Sequence, residues 1–199
     1  MLRLKKIAIT GGVASGKTSV CRFFKELGAY VVNADAIVHE LLKPDTDLGQ
    51  QLIRQFGLSI INNGQISRKV IADQVFKDPK QLQKLEELLH PAVLRKIEEL
   101  YTVACKGEFS AFVVEIPLLY EIGAEDFYDI VVAVLADEAQ AKRRFEQAGF
   151  QETEYDLRMK RQLEPKQKAA KAHYTIYNNG SIEELRHEVV KLNRIIHKQ

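Results

Sequence analysis

The octapeptide Gly11-Gly12-Val13-Ala14-Ser15-Gly16-Lys17-Thr18 constrains the fold of this chain more than any other stretch. It satisfies G-x-x-x-x-G-K-[ST] without a mismatch, follows the apolar run Ile7-Ala8-Ile9, and precedes residues with helical periodicity. Each part has a physical task. The glycines let backbone N–H groups turn inward around an anion. A helix starting near Lys17 aims its positive end at the same point. Gly12, Val13, Ala14, Ser15 and Gly16 are therefore expected to wrap a phosphate chain, with Lys17 on the β- and γ-phosphates and the Thr18 hydroxyl on Mg²⁺. The competing reading is an ordinary glycine turn with an exposed lysine, and the strand-loop-helix context weighs against it. The loop alone does not separate a kinase from a GTPase or a motor ATPase. The chain contains no N-K-x-D, which counts against a GTPase.

The rest of the chain alternates strands and helices. Residues 4–10 read as a first strand, 17–27 as a helix that Gly28 can end, and Tyr30-Val31-Val32 as a second strand. Residues 111–116, stopped by Pro117, form a third, and Ile130–Leu135, continuously apolar, a fourth. Residues 173–177 are a weaker fifth. Asn178-Asn179-Gly180 turns the chain into a last helix, where Ser181 and Glu184 have capping-box spacing. This order predicts an α/β fold: a parallel five-stranded sheet flanked by helices, like that of P-loop nucleoside-monophosphate kinases. About seventy residues separate strands two and three, far more than one crossover helix needs. Residues 37–106 are therefore read as a helical insertion into a core of 1–36 and 107–199. Inside it Val70, Ile71, Val75 and Phe76 recur at helical spacing, and Pro91 is read as the first-turn proline of a helix carrying Val93, Ile97 and Tyr101. Phe56-Gly57, Asn63-Gly64 and Asp78-Pro79 read as turns.

Composition excludes several classes. Apolar residues make up 46%, enough for a packed core, and the net charge of +2 gives no electrostatic case for nucleic acid or a membrane surface. No run approaches the length of a membrane span, and the start is too short in apolar residues for a signal peptide. Cys21 and Cys105 have no metal or redox spacing, so a reducing, cytoplasmic setting is expected.

Three further features bear on the chemistry. Asp35 follows strand two, 17 residues beyond Thr18. At the strand ends of a doubly wound sheet a carboxylate there can orient an acceptor hydroxyl, take its proton, or hold Mg²⁺ through water; equally, it can cap the next helix. Glu115, near the end of strand three, either faces the metal or is turned aside by strand alternation. Between Leu157 and Ala172 lie six basic residues and one acidic residue. Most read as a solvated surface, with one or two arginines available to neutralise a transferring phosphoryl group.

Taken together these residues resemble the dephospho-coenzyme A kinase family over nearly the whole chain. The resemblance is carried by Thr10 to Thr18, Ala34-Asp35, Phe56-Gly57, the Gly64 to Arg68 turn and His90-Pro91. It continues through Pro117-Leu118-Leu119-Tyr120-Glu121, the Gln140/Arg143 pair, Gln162 and Asn179-Gly180. It implies a P-loop core, a helical CoA-binding insertion and a lid over residues 138–170. It also implies transfer of the ATP γ-phosphoryl group, with Mg²⁺, to the ribose 3′-hydroxyl of dephospho-CoA. By that likeness Asp35 is the catalytic carboxylate, Arg143 the lid arginine, and Asn179 lies at the nucleotide. Arg68, His90, Leu118 and Glu121 are then candidates for the acceptor site, though core packing explains Leu118 and Leu119 better. The family often has Asp at Asn33, Asn63 and His173, and a second lid arginine at Gln147, for which Arg144 is a neighbouring substitute. The partners implied are ATP and dephospho-CoA, without nucleic acid or membrane. A monomer is the favoured expectation, and no residue fixes it. The alternatives are a kinase for another nucleoside or nucleotide and a non-catalytic ATP-binding regulator.

Overall fold

The computed structural model describes residues 4–75 and 78–198, so the expected helical position Phe76 lies outside the described residues. The elements begin with β1 (Lys6–Gly11), α1 (Lys17–Glu26), β2 (Tyr30–Asn33), α2 (Ala34–Leu41) and α3 (Asp47–Phe56). Then come β3 (Ile61–Asn62), β4 (Gln65–Ile66), α4 (Arg68–Val75), α5 (Pro79–Ala104), β5 (Phe112–Glu115) and β6 (Ile130–Leu135). The chain closes with α6 (Glu138–Gln147), α7 (Glu152–Met159), α8 (Pro165–Lys171), β7 (Tyr174–Tyr177) and α9 (Ile182–Lys198). They divide into two compact units, one running to Asn33 and resuming at Ala104, the other spanning Ala34–Val103.

The first unit holds a parallel sheet in the order β2-β5-β1-β6-β7. The five expected strands are its five strands. Every residue of β1 and β6 is buried, which is why both read as near-continuous apolar runs rather than alternating ones. On one face α1 and α9 pack Val20, Phe24, Leu185, Val189 and Ile196 against Ile7, Val113 and Val132. Each such side chain contributes about 1.5–3 kcal/mol of burial. Helix α1 stops where expected: Gly28 takes φ 88°, Gly28 N donates to Lys25 O at 3.0 Å, and Ala29 N donates to Phe24 O at 3.0 Å. Helix α9 starts as its sequence predicts. Ser181 N donates to the Glu184 carboxylate at 2.7 Å, and Glu184 N donates to Ser181 Oγ at 3.1 Å.

The second unit is helical with its own core of Leu42, Leu48, Leu52, Ile60, Ile71 and Val75. Two local expectations change here. Pro91 does not start a helix; it lies inside the 26-residue α5. The first-turn proline is Pro79, preceded by Asp78, whose carboxylate accepts from Lys80 N at 2.9 Å. Leu82, Leu85, Leu88, Leu89 and Ala92 form one apolar stripe against that core. That packing holds the helix across a position where proline removes a backbone donor. The turn at Asn63-Gly64 closes a small hairpin, β3 against β4, which the largely helical reading of the insertion missed. Both turn residues have positive φ, 51° and 75°, as a two-residue hairpin loop requires.

Candidate active site

The octapeptide leaves the C-terminal end of β1, in the middle of the sheet, and runs into α1. Gly16 sits at the helix N-cap with φ 98°. A β-carbon there would collide with the side-chain amide of Asn178, so glycine is required twice over, by conformation and by space. Asn178 is buried at the end of β7 and donates from Nδ2 to Ser15 O at 2.8 Å. Lys17 is buried and folds back over the loop, its Nζ donating to Gly12 O at 2.6 Å and to Gly11 O at 3.3 Å. Ser15 Oγ is buried with no hydrogen-bond partner among the described residues. Val13 packs with Ala141, Phe145 and Tyr155 of α6 and α7.

Thr18 and Glu115 meet. Thr18 Oγ1 donates to Glu115 Oε1 at 2.8 Å, and Asn33 Nδ2 donates to Glu115 Oε2 at 3.0 Å. The last residue of β5 is thus turned toward the loop, resolving the two orientations the sequence left open. Because the threonine hydroxyl gives its hydrogen to Glu115, its lone pairs stay available to a cation. An oxygen pair of this kind fits Mg²⁺, which takes few protein ligands and completes its shell with phosphate and water. Among the described residues no group of three or more His, Cys, Asp or Glu side chains could hold a metal ion by itself. One turn along α1, Cys21 is buried; desolvation, with Glu115 adding to it, pushes its thiol well above the usual value of 9.0.

The run Lys142-Arg143-Arg144 on α6 sorts itself by contacts. Lys142 bridges Glu138 at 3.2 Å, Glu152 at 3.2 Å and Asp156 at 3.5 Å, and its hydrogen bonds to Glu152 and Glu138 raise its pKa. Arg144 donates to Asn178 O at 3.0 Å and to Gln140 Oε1 at 3.2 Å, so its guanidinium is tied to α6 and to the residue after β7. Arg143 is exposed and has no hydrogen-bond or ion-pair partner among the described residues. Asn179 exchanges hydrogen bonds with Asp137, at 2.8 Å and 2.9 Å. The preceding Asn178 is the residue that touches the phosphate loop.

In the loop after β5, Leu119 is fully buried but Leu118 is 42% exposed, so packing accounts for the first and not the second. Glu121 faces inward. Its Oε1 accepts from Leu163 N at 2.8 Å and pairs at 2.8 Å with Lys168, a fully buried lysine that no sequence signal singled out. Lys168 Nζ also donates to Pro117 O at 2.6 Å and to Gln162 Oε1 at 3.2 Å. The remaining candidates belong to the second unit. Asp35 is exposed in the first turn of α2, inside the helix rather than at its cap. Arg68 is the exposed first residue of α4, and His90 is half-buried in α5. The three share no hydrogen bond or ion pair among the described residues.

Comparison with known proteins agrees with this geometry. The family model described as dephospho-CoA kinase matches residues 5–184. The dephospho-CoA kinase of Protochlamydia amoebophila is 44% identical over 195 residues, covering 96% of each chain. That of Chlamydia muridarum is 44% identical over 191 residues, covering 95% of each. Among solved structures, a Thermus thermophilus protein superposes with a TM-score of 0.83 at 28% identity over 96% of both chains. The Campylobacter jejuni dephospho-CoA kinase does so with 0.71 at 27% over 97% of both. A shikimate kinase from Acinetobacter baumannii, 16% identical with a TM-score of 0.56, covers 98% of this chain and 94% of its own and shares the P-loop kinase fold alone. With a phosphate loop at the centre of a five-stranded parallel sheet and a family match across nearly its whole length, the chain belongs to the dephospho-CoA kinase family.

Proposed function

We propose that the protein transfers the γ-phosphoryl group of ATP to the ribose 3′-hydroxyl of dephospho-CoA, releasing CoA and ADP. The observation that carries the donor half is the Thr18–Glu115 contact beside the loop, since it joins a phosphate cradle to an oxygen pair suited to a cation. Family membership supports the acceptor half. Loop amides and Lys17 hold the donor phosphates, and the buried, unpartnered Ser15 hydroxyl is a further donor at that anion. Thr18, with Glu115 accepting from its hydroxyl, would hold Mg²⁺, which when bound would neutralise charge on the phosphates. Asp35 orients the acceptor hydroxyl and takes its proton. Arg143, uncommitted on α6, neutralises the transferring group. Because that group passes through a loose transition state, positioning and charge outweigh base strength. The helices α6 to α8 serve as the lid, Ala34–Val103 is the acceptor-binding insertion, and the enzyme works as a cytoplasmic monomer.

The test is ADP release with dephospho-CoA beside a panel of nucleosides, nucleotides and shikimate, in MgCl₂ and in EDTA. Metal-dependent turnover confined to dephospho-CoA is expected. Turnover on another acceptor identifies a different kinase, and ATP binding with no turnover on any acceptor identifies a regulator; either result overturns the proposal.

A further inference from the structure

We infer that Arg144 is a positioning residue for the donor-phosphate loop, acting through Asn178; the inference rests on the reading that this loop binds ATP. Three hydrogen bonds form a relay. The guanidinium donates from Nη1 to Asn178 O at 3.0 Å and from Nη2 to Asn178 Oδ1 at 3.4 Å. The same amide donates from Nδ2 to Ser15 O at 2.8 Å, inside the phosphate loop. The amide has a single consistent orientation. Ser15 O accepts only and a guanidinium donates only, so Nδ2 must face the loop and Oδ1 must face Arg144. Asn178 is buried, and its main chain is pinned as well, with Asn178 N donating to Leu135 O at 2.7 Å.

What the relay controls is a peptide plane. The Ser15–Gly16 bond is trans, so fixing Ser15 C=O toward Asn178 fixes Gly16 N–H in the opposite direction. Gly16 is the N-cap of α1 and holds φ 98°, a conformation from which the peptide rotates easily unless restrained. Arg144 thereby sets the aim of a loop amide without touching the ligand. The second Nη2 partner, Gln140 Oε1, and the Gln140 Nε2 bond to Asn179 O at 2.7 Å tie the guanidinium to α6. A shift of α6 therefore reaches the phosphate loop through Arg144, which couples the helix carrying Arg143 to the donor site.

The test is direct titration of ATP and of ADP into wild type, Arg144→Leu, Arg144→Lys, Asn178→Ala and the Arg144→Leu/Asn178→Ala double variant, with steady-state kinetics on each. Arg144→Leu is expected to weaken both nucleotides about tenfold, the scale of a hydrogen bond to a charged group, while KM for dephospho-CoA stays within twofold. Arg144→Lys, which keeps the charge but reaches one oxygen at a time, falls between. In the Asn178→Ala background the leucine substitution adds less than twofold, because the relay is already cut. Additive losses in the double variant show that Arg144 acts on nucleotide directly and overturn the inference. Equal rises in both KM values overturn it too, since a loss of general stability moves both substrates. Should Arg144→Leu not fold, Arg144→Lys at wild-type affinity refutes the inference. Absence of ATP binding by wild type refutes the proposed function instead.

Discussion

Replacing Lys168 by methionine isolates the energetics of one buried ammonium. The side chain has no exposure, and its partner carboxylate on Glu121 is only 17% exposed. Methionine keeps most of the aliphatic volume and deletes the charge. Glu121 then loses its cationic partner; its Oε2 is already buried without a partner among the described residues, and Oε1 keeps only Leu163 N. Removing one member of a buried pair costs about 3–5 kcal/mol. With a urea m-value of about 2 kcal/mol/M, the unfolding midpoint falls by about 1.5–2.5 M. Adding Glu121→Gln should restore at least half of that loss. The glutamine oxygen still accepts from Leu163 N, and Pro117 O keeps the Thr10 hydroxyl at 3.2 Å. The pH dependence has a definite sign. Burial lowers the Lys168 pKa below the usual 10.5, with Glu121 pulling the other way, so the unfolded chain holds that proton more tightly. The contribution of Lys168 to wild-type stability therefore rises with pH across the alkaline window ending near 10.5, and its penalty stays constant below that window. Lys168→Met lacks this rise, so the gap between the two proteins widens toward pH 10.5. A single variant within about 0.5 M of wild type, a double variant no better than the single, or a narrowing gap refutes the reasoning.

Three other perturbations separate the parts of the site. Asp35→Asn lowers kcat by about 100- to 10,000-fold while ATP affinity is retained; near-normal kcat removes Asp35 from the proton transfer. Gly16→Ala forces a side chain into a left-handed conformation and into the Asn178 amide, so the KM for ATP rises at least about tenfold, and a wild-type KM contradicts the assigned cradle. Cys21, with its folded pKa raised, contributes stability that is complete below the unfolded value near 9.0 and is lost as pH climbs beyond it. Cys21→Ala should therefore flatten the alkaline decline, and in native protein a thiol reagent should modify the exposed Cys105 and spare Cys21 until unfolding.

The strands were legible because a parallel sheet buried on both faces writes itself as unbroken apolar runs, as β1 and β6 do. The capping box of α9 was legible because two side chains three residues apart satisfy each other locally. Legibility ends where a tertiary partner decides. The hairpin of β3 and β4 has strands of two residues each, too short for a period, and only its Asn63-Gly64 turn left a mark. Pro91 carries a local signal that reads as a helix start, and the packing of the long apolar stripe of α5 overrides it. Lys168 looks like one more base in a basic segment until Glu121, 47 positions upstream in the numbering, is folded against it.

The departures from the family pattern show what the site requires. At Asn33, where the family resemblance leads to an expected Asp, the amide donates to Glu115 at 3.0 Å; a carboxylate there would face another across the same gap. The chain therefore gathers its negative charge at Glu115 and holds it from both sides, through Thr18 and Asn33. At His173 the ring does what a carboxylate oxygen would do. Nδ1 accepts from Val131 N at 3.0 Å, which places the neutral ring's proton on Nε2. Asn63 takes a φ of 51° that Asn and Asp both tolerate. Near Gln147 the neighbouring cations are already engaged, Arg144 by Asn178 and Lys142 by three carboxylates. Within this run on α6 the positive charge without a partner among the described residues is that of Arg143, so if the proposed role holds, Arg143→Ala lowers kcat about 100-fold or more with ATP affinity retained, and a near-normal kcat removes Arg143 from the mechanism.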